Sequence, residues 1–418
     1  MQPWQPSSLI FRGRPILRIP RGCLSVGSGR TRPLNPLSTN QPFVMNIISI
    51  SSRGSALALL LLASCTKDSS PEVSPQPTSS ADATGLAPVR TFYSGLNNPR
   101  GLKFGPDGNL YVAEGGTGGT NSTVGSCTQV PFPVGPYLGS PTGGRVSRIS
   151  AAGVRTTVTD QLPSSQANEI IGGDVEGVSD VAFIGTTLYA MVAGAGCSHG
   201  VPSVPNGVVR IAPNGTTTLI ANLSAYFAAN PVLHPEPEDF EPDGTPYSMI
   251  EMGGNLYSVE PNHGELIEIT PAGTVSRVVD ISASQGHIVP TALAYHGNFF
   301  VGNLHPFPIV DGSSNIYKIT PSGNLKVWAT GFTTVLGLVV DGQNRTYVLE
   351  NTVGAPLPTP GHGRIVRLDP SGRKTVIATG LSLPTGMTLG PDGQLYVSNI
   401  GFSPAAIGGG QVLQVDIR

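Results

Sequence analysis

One sequence unit recurs along this chain, and this repetition constrains the fold more than any other feature. Residues 95–114 (GLNNPRGLKFGPDGNLYVAE) return near the C-terminus as residues 380–399 (GLSLPTGMTLGPDGQLYVSN). A triplet with a central aromatic residue occurs six times, at residues 110–112, 188–190, 256–258, 299–301, 346–348 and 395–397. Self-similarity at a spacing of tens of residues is typical of solenoids and propellers. We therefore expect an architecture made of six similar units.

A second patterned run follows each triplet, at residues 146–149, 208–211, 266–269, 316–319, 365–368 and 412–415. These runs alternate with period two, which predicts half-buried strands. The first five are followed by a short turn ending in glycine, at Gly153, Gly215, Gly273, Gly323 and Gly372. A further strand then closes the unit, as in residues 374–378. Four antiparallel strands repeated six times predict an all-β fold, the six-bladed β-propeller.

The two ends of the repeat region complement each other. The sixth unit ends with its third strand and Arg418, so it lacks a fourth strand of its own. Residues 89–94 precede Gly95 in the way that residues 374–379 precede Gly380. We therefore predict that this N-terminal strand completes the last blade. Closure of the ring would remove the open sheet edges that promote aggregation.

Composition excludes several other classes of protein. Glycine and proline number 54 and 39 among 418 residues, and only 12 % of residues are charged. This composition is unsuited to a coiled coil or a helical bundle. After Cys65 the chain has 17 basic and 26 acidic residues and no basic stripe. Nucleic acid is therefore not an expected partner.

An apolar stretch upstream of the repeats predicts export. Residues 55–64 (SALALLLLAS) follow Arg53 and have the length of a signal-peptide core, which is too short to span a bilayer. The stretch ends in Leu62-Ala63-Ser64-Cys65, which resembles a bacterial lipobox, in which the cysteine carries a diacylglycerol. We predict a lipoprotein of the cell envelope, periplasmic or at the cell surface, that contacts the membrane only through Cys65. The alternative is an ordinary signal peptide followed by a chance cysteine.

These signals divide the chain into four segments. Residues 45–65, beginning at Met45, are the predicted lipoprotein signal peptide, and residues 1–44 are explained most simply as an over-extended gene start. The six arginines and missing acids of residues 1–44 also suit an organellar transit peptide, although the lipobox argues against it. Residues 66–87, rich in serine, proline and threonine, are a predicted flexible tether. Residues 88–418 are the predicted propeller.

Loop lengths distinguish the two faces of the predicted propeller. Turns between strands 1 and 2 and between strands 3 and 4 are short and lie on one face. Loops between strands 2 and 3 and between blades lie on the other face, and the long ones comprise residues 115–143, 193–206, 222–245, 303–314 and 351–363. We call this side the long-loop face. Binding sites concentrate where a rigid scaffold carries long loops, so we expect function there and at the channel mouth.

Several stretches resemble a known family more specifically than the repeats do. They are residues 98–102 (NPRGL), 223–231 (LSAYFAANP), 301–308 (VGNLHPFP) and 314–319 (SNIYKI). Together with the NHL-like repeats, they are similar to the ScyD/ScyE family of secreted propellers. The resemblance covers about residues 88–418 and implies the fold and export, without a reaction or catalytic residues. The chain departs from the family at Asn303, where glutamate is common, and in its cysteine-containing first insert.

Polar residues end five of the six second strands on the long-loop face. They are Glu114, Glu260, Asn303, Glu350 and Asn399. One interpretation is a ring of oxygen ligands around the channel mouth for a divalent cation such as Ca²⁺, with Glu114, Glu350 and Asn399 as candidate metal ligands. The other interpretation is that each side chain accepts hydrogen bonds from backbone N–H groups of the adjacent loop.

Three histidines and one phenylalanine are further candidates on this face. His263, His305 and His362 follow second strands in three successive blades, so they suit either an acid–base site or ordinary exposed loop positions. None of the seven histidines has the local spacing of a zinc site. Phe307, between two prolines, either presents an apolar side chain to a ligand or fills its own loop.

Cys127 and Cys197 are the two cysteines that remain after the predicted leader and the lipidated Cys65. They lie in the loops between strands 2 and 3 of neighbouring blades, and export favours their oxidation. We predict a disulfide between them. The alternatives are two free thiols or a pair that binds a soft metal.

These observations predict a propeller that binds a small molecule, a glycan or a protein partner through its long-loop face. The candidate ligand-binding residues are Glu114, Glu260, Asn303, His305, Phe307, Glu350 and Asn399. The alternative is a metal-dependent hydrolase or lyase, similar to a lactonase, that uses the Glu/Asn ring. A purely structural envelope protein is a third interpretation. The chain contains no Walker loop.

Overall fold

Each predicted unit forms one antiparallel sheet in the computed structural model, which describes residues 85–168, 174–235, 237, 240–402 and 407–418. The described strands begin with β1 (Val89–Leu96), and blade 1 contains β2 (Pro99–Phe104), β3 (Leu110–Glu114), β4 (Leu138–Ile149), β5 (Arg155–Gln166) and β6 (Val175–Glu176). Blade 2 contains β7 (Val178–Ile184), β8 (Thr187–Val192), β9 (Gly207–Ile211) and β10 (Thr217–Asn222). Blade 3 follows helix α1 (Leu223–Ala229) and contains β11 (Ser248–Met252), β12 (Asn255–Glu260), β13 (Glu265–Ile269) and β14 (Val275–Asp280).

The remaining three blades follow the short helix α2 (Ser282–Gln285). Blade 4 contains β15 (Pro290–Tyr295), β16 (Phe299–Asn303), β17 (Ser314–Ile319) and β18 (Leu325–Phe332). Blade 5 contains β19 (Val335–Val340), β20 (Thr346–Glu350), β21 (Gly363–Leu368) and β22 (Lys374–Leu381). Blade 6 contains β23 (Gly386–Leu389), β24 (Leu395–Asn399) and β25 (Gly410–Val415), with β1 as its outermost strand.

The fold is a six-bladed β-propeller. The innermost strands β2, β7, β11, β15, β19 and β23 contact one another in chain order, and β23 returns to β2. Ring closure occurs as predicted, because β1 pairs antiparallel with β25 and places Val89 opposite Val415 and Leu96 opposite Gly410. The register follows from the side chains, since Leu96 is fully buried in the cluster between blades 6 and 1.

The repeated aromatic residue of the triplet packs between blades. Tyr111 meets Phe183 of blade 2 with ring centroids 4.9 Å apart, and Tyr257 meets Phe299 of blade 4 at 4.8 Å. The Tyr111 hydroxyl also donates a hydrogen bond of 3.0 Å to Asp107 in the short turn of its own blade. Tyr111 therefore joins a turn, a sheet and the next blade, and packing between blades explains why an aromatic residue recurs at this position of the triplet.

Blade 1 differs from the sequence prediction. The loop predicted at residues 115–143 ends at Tyr137, because β4 begins at Leu138 and pairs with an extended β5, with Leu138 opposite Gln166. β6 then adds a fifth strand to this sheet. Gly144 permits the extended hairpin, since a Cβ atom there would lie 2.3 Å from the carbonyl oxygen of Pro163.

The predicted loop 222–245 contains helix α1, which the sequence analysis missed. The Asn222 side chain caps the helix by accepting a hydrogen bond of 2.9 Å from Ala225 N, and the helix buries Leu223 and Phe227. No helix among the described residues is long and apolar enough to cross a membrane. The predictions for the leader, for Cys65 and for most of the tether fall on residues 1–84, outside the described residues.

Candidate functional site

The five polar residues at the ends of second strands are buried, and their side chains bind the polypeptide itself. Glu114, Glu350 and Asn399 accept hydrogen bonds of 2.6, 2.6 and 2.8 Å from backbone N–H groups in the loop that enters their own blade. Glu260 accepts one of 2.7 Å from Thr245 N, and Asn303 donates one of 2.8 Å to the Ile288 carbonyl. These contacts correspond to the capping interpretation of the sequence.

Arginines occupy the remaining oxygens of two of these carboxylates. Glu114 binds Arg145 and Ser147, and Glu350 binds Arg364. Both glutamates are completely buried. A cation at either carboxylate would have to displace these partners, so we do not place a metal at Glu114, Glu350 or Asn399.

The three histidines on this face do not form a common site. His263 is buried and its Nδ1 lies 3.0 Å from Glu260 Oε2. Burial lowers the pKa of His263, but the Glu260 carboxylate outweighs burial and raises it above its usual value. Nδ1 of His305 lies 3.2 Å from the Pro306 carbonyl oxygen, and the exposed His362 has its Nδ1 2.9 Å from the Val353 carbonyl oxygen. Each imidazole therefore contacts a group close to it in the chain rather than another of these histidines.

Phe307 is exposed over 48 % of its surface and does not fill its own loop. Its loop is joined to the corresponding loop of blade 5, because Ile309 N donates a hydrogen bond of 2.8 Å to the Pro356 carbonyl. Val310 and Leu357 are exposed on the same two loops. This edge of the long-loop face is therefore apolar.

A different group of side chains converges on the opposite side of the long-loop face. Glu176 lies in β6, His199 in the loop after β8, and Glu241 in the loop before β11. Nε2 of His199 is 3.1 Å from Glu241 Oε2 and 3.3 Å from Glu176 Oε2. One oxygen or nitrogen from each residue lies within 4.8 Å of the other two. We call these three residues the Glu–His–Glu cluster.

The cluster contains more acceptor oxygens than its imidazole can satisfy. His199 Nε2 offers at most one hydrogen, and it has a hydrogen-bond contact with Glu241. The buried Oε2 of Glu176 has no hydrogen-bond partner among the described residues other than its 3.3 Å contact with that same His199 Nε2. A buried carboxylate oxygen in this position is stabilised by a proton or a cation.

Neighbouring groups orient His199. The Ser198 hydroxyl donates a hydrogen bond of 2.7 Å to Asp243 and lies 3.2 Å from His199 Nδ1, so its oxygen can accept a hydrogen from Nδ1. That arrangement leaves Nε2 directed at the two carboxylates. Metal-binding histidines are commonly held by such an outer hydrogen bond at the other ring nitrogen.

Electrostatics at the cluster favour positive charge. Burial alone lowers the pKa of His199, but its contacts with Glu176 and Glu241 raise the pKa to about 10. The same carboxylate field that holds a proton on the imidazole would hold a divalent cation in its place.

The cluster borders the mouth of the central channel. Arg100, at the start of β2, donates hydrogen bonds of 3.1 Å to Asp174 and 2.6 Å to the Val175 carbonyl, next to Glu176. Burial raises the pKa of Asp174 to about 6, although Arg100 opposes this shift. The Tyr247 hydroxyl donates a hydrogen bond of 2.9 Å to the Thr385 carbonyl across the mouth.

Below the mouth, a narrow cavity lies between the innermost strands. Its lining includes Lys103 and Asp180. Burial raises the pKa of Asp180 to about 6, against the opposing effects of Lys103 and two backbone N–H groups. Asp180 accepts hydrogen bonds of 2.8 Å from both Val181 N and Met249 N. The Asp180 carboxylate therefore links blades 2 and 3, and it already accepts hydrogen bonds from two backbone N–H groups.

The disulfide links the first insert to the loop that carries His199. Cys127 and Cys197 are bonded, with Cα atoms 6.3 Å apart, as the sequence analysis expected. The insert also brings Tyr137 over the cluster, with its ring centroid 4.7 Å from that of His199 and its hydroxyl 3.4 Å from Glu241 Oε1. The cluster is thus covered by a covalently fixed loop.

Comparison with known proteins finds likeness to solved structures only. No protein-family model matches the sequence, and no curated protein sequence matches it. Among solved structures, the chain is similar to a calcium-binding regucalcin from Agrobacterium tumefaciens, with 14 % identity, a TM-score of 0.47 and coverage of 79 % of this chain and 94 % of that one. It is also similar to a gluconolactonase from Xanthomonas campestris, with 11 % identity, a TM-score of 0.47 and coverage of 81 % and 94 %.

The Glu–His–Glu cluster could not be predicted from the sequence, because its three residues are far apart in the chain and form no short motif. His199 and Glu241 are 42 positions apart, and both lie in loops outside the repeated pattern. One usable signal was present, since His199 follows the predicted disulfide residue Cys197 by two positions. A histidine held beside a covalent link in a long loop is a better candidate than one next to a regular strand.

Proposed function

We propose that this protein is an exported, lipid-anchored propeller that binds its ligand on the long-loop face through a divalent cation held by Glu176, His199 and Glu241. The convergence of these three side chains from three separate segments carries the proposal. Export is supported by the lipobox-like sequence at Cys65 and by the disulfide, which suits an oxidising compartment.

The spacing of the ligand atoms supports a small cation. Nitrogen and oxygen ligands bind Zn²⁺ at about 2.1 Å, so two ligands of a tetrahedral site are about 3.4 Å apart. The two distances from His199 Nε2, 3.1 and 3.3 Å, are close to this value, and the ligand atoms of all three residues lie within 4.8 Å of one another. One imidazole and two carboxylates suit Zn²⁺ or Mn²⁺ better than Ca²⁺.

Three protein ligands leave a coordination position for an external ligand. Glu176 is the most exposed member of the cluster, since its side chain retains 16 % exposure while that of Glu241 retains 5 % and that of His199 has none. The long segments of this face contain no lysine or arginine, namely residues 115–137, 193–206, 223–235, 304–313 and 351–362. A small molecule, a glycan or a protein surface that supplies an oxygen atom to the cation fits this environment.

Metal titration tests this proposal. Purified, metal-free protein is titrated with Zn²⁺, Mn²⁺ and Ca²⁺ by calorimetry, and bound metal is counted after desalting. We expect one ion per chain, with preference for Zn²⁺ or Mn²⁺, and loss of binding in Glu176→Gln and His199→Ala. His362→Ala, which removes an exposed histidine of the same face, should bind normally. Absence of a bound ion, or equal binding by wild type and His199→Ala, would contradict the proposal.

A second candidate function, a metal-dependent hydrolase or lyase, is favoured by the ion pair beside the cluster. Asp174 forms an ion pair of 3.1 Å with Arg100 and lies two positions before Glu176 in the chain. A carboxyl group placed beside a metal site can serve in general acid–base catalysis. Metal-loaded protein tested on a panel of lactones and esters distinguishes the two functions, because turnover should disappear in Asp174→Asn while metal binding remains.

A further inference from the structure

We propose that the Cys127–Cys197 disulfide controls the cation affinity of the Glu–His–Glu cluster, so that reduction weakens the site. This inference rests on the proposed cation site. It goes further by making that site dependent on the thiol redox state of its surroundings.

The segment that carries His199 is a short turn closed by local backbone hydrogen bonds, including those from Gly196 N to the Val204 carbonyl (2.7 Å) and from Val201 N to the Gly196 carbonyl (2.9 Å). Residues Cys197–His199 form a single 3₁₀ turn flanked by Gly196, with φ of 91°, and Gly200, with φ of 74°. Glycine reaches such backbone angles easily but is also the most flexible residue before folding. These bonds set the shape of the turn, while its placement against the neighbouring loops depends on contacts with other segments.

Two kinds of contact tie the turn to other loops. On one side, Ser198 N and its hydroxyl donate hydrogen bonds of 2.8 and 2.7 Å to Asp243. On the other side, the disulfide joins the turn to the first insert, and the Thr123 hydroxyl of that insert donates a hydrogen bond to the Cys197 carbonyl. The disulfide is the covalent contact, and it lies two positions from the imidazole.

The insert depends on the same bond. Residues 115–137 include six glycines and no charged residue, and no named strand or helix lies within them. A small apolar cluster of Val130, Tyr137 and Ala167 anchors the far end of the insert. Tyr137 also covers His199 and contacts Glu241. Loss of the disulfide would thus loosen both the ligand-bearing turn and its cover.

Both cysteines are partly exposed, so a reductant can reach them. In the reaction, a dithiol transfers two electrons and two protons to the disulfide, and it becomes a disulfide while Cys127 and Cys197 become thiols. No atom of the cluster takes part. The effect on the cation arises because His199 must then be ordered when the metal binds. We expect an affinity loss of about 10- to 100-fold, as for removal of an outer contact of a metal ligand.

The experiment compares Zn²⁺ affinity in oxidised wild type and in the Cys127→Ala/Cys197→Ala double variant, by competition with a chromophoric chelator. The double variant is used because free thiols could themselves bind the metal. Wild type that has been reduced under native conditions and then alkylated is measured as a second sample. Near-UV circular dichroism confirms that each sample is folded.

The absorption spectrum of bound Co²⁺ separates positioning from general stability. If the disulfide positions His199, the Co²⁺ spectrum of the double variant should move toward that of His199→Ala. A purely structural role would lower the melting temperature without changing the spectrum or the affinity.

Each outcome decides the proposal. Weaker Zn²⁺ binding together with an altered Co²⁺ spectrum supports it. Equal affinity in all folded samples overturns redox control while leaving the cation site intact. Absence of Zn²⁺ binding in oxidised wild type overturns both the cation site and its control. If both disulfide-free samples are unfolded, the bond supports the whole domain and the proposal is also overturned.

Discussion

Glu265 is a buried carboxylate whose protonation is coupled to folding. Its Oε2 accepts a hydrogen bond of 2.6 Å from Arg277 Nε, while its buried Oε1 has no hydrogen-bond partner among the described residues. Burial raises its pKa from the ordinary 4.5 to about 7, although Arg277 opposes this shift. The folded protein therefore holds a proton on Glu265 more tightly than the unfolded chain does.

This shift predicts a specific dependence of stability on pH. Between about pH 4.5 and pH 7 the unfolded state releases the proton and the folded state keeps it. The contribution of Glu265 to the free energy of unfolding must fall as pH rises through this window, by at most about 1.4 kcal/mol per pH unit. Glu265→Gln should show a flatter pH profile in chemical denaturation than wild type.

A surface substitution in the same blade is the matched control for this measurement. Glu251→Gln changes an exposed glutamate of β11 and should leave the slope between pH 4.5 and pH 7 as in wild type. If Glu265→Gln and wild type have the same slope, the folded-state pKa of Glu265 is not raised.

The capping glutamates show what a strand-end carboxylate does in this fold. Glu114 and Glu350 receive a backbone N–H from the loop that enters their blade and an arginine from the neighbouring strand. A sequence can indicate that an acid ends a strand on the long-loop face. It cannot indicate whether the carboxylate points into the channel or back into the blade, because both arrangements have the same spacing along the chain.

At the scale of elements, β1 is the segment on which the ring depends. It pairs with β25 over its length, from Val89 opposite Val415 to Leu96 opposite Gly410, and it packs Phe92 against Tyr396 at 5.1 Å. Without β1, blade 6 would have three strands and an open edge, which is the feature that closed propellers avoid.

Deletion of residues 89–94 from the full chain should strongly destabilise the domain. Each lost backbone hydrogen bond contributes about 1 kcal/mol, and a whole domain is stabilised by only about 5–15 kcal/mol. Thermal unfolding followed by near-UV circular dichroism measures the effect. Deletion of six residues from the predicted tether, 66–71, is the control of equal length and should leave the melting temperature unchanged. A normal melting temperature after deletion of 89–94 would disprove the role of β1.

The first insert is the element in which the structure departs furthest from the repeat. Its C-terminal part becomes strand, because β4 starts at Leu138 and pairs with an extended β5. Its middle is held by the disulfide to the loop of blade 2. The repeat pattern does not extend into this insert, so only its cysteine indicated where it would attach.

At the scale of the whole molecule, the predicted lipid anchor determines where the propeller works. Cys65→Ala should shift the protein from the detergent phase to the aqueous phase in a detergent phase-separation assay, because the diacylglycerol is the only predicted membrane contact. Cys23→Ala, upstream of the predicted start at Met45, should behave as wild type. Partitioning of unmodified wild-type protein into the aqueous phase would show that the lipobox assignment is incorrect.

The number of blades, their strands and the closure of the ring by β1 could be predicted from the amino-acid sequence. These features rest on short-range patterns, namely period-two alternation, glycine turns and an aromatic residue that packs between neighbouring blades. Such patterns repeat because every blade packs against its two neighbours in the same way. The chain also indicated the Cys127–Cys197 pairing, since few cysteines remain after Cys65 and both of these lie in loops of adjacent blades.

The location of the Glu–His–Glu cluster became visible only in the three-dimensional structure. Glu176, His199 and Glu241 come together because β6 extends blade 1, the disulfide fixes the turn of His199, and Asp243 orients Ser198 beside the imidazole. Each of these conditions joins residues that are distant in the chain and lie outside the repeat. Local pattern carries no information about such contacts, because they depend on how loops of different blades meet above the ring.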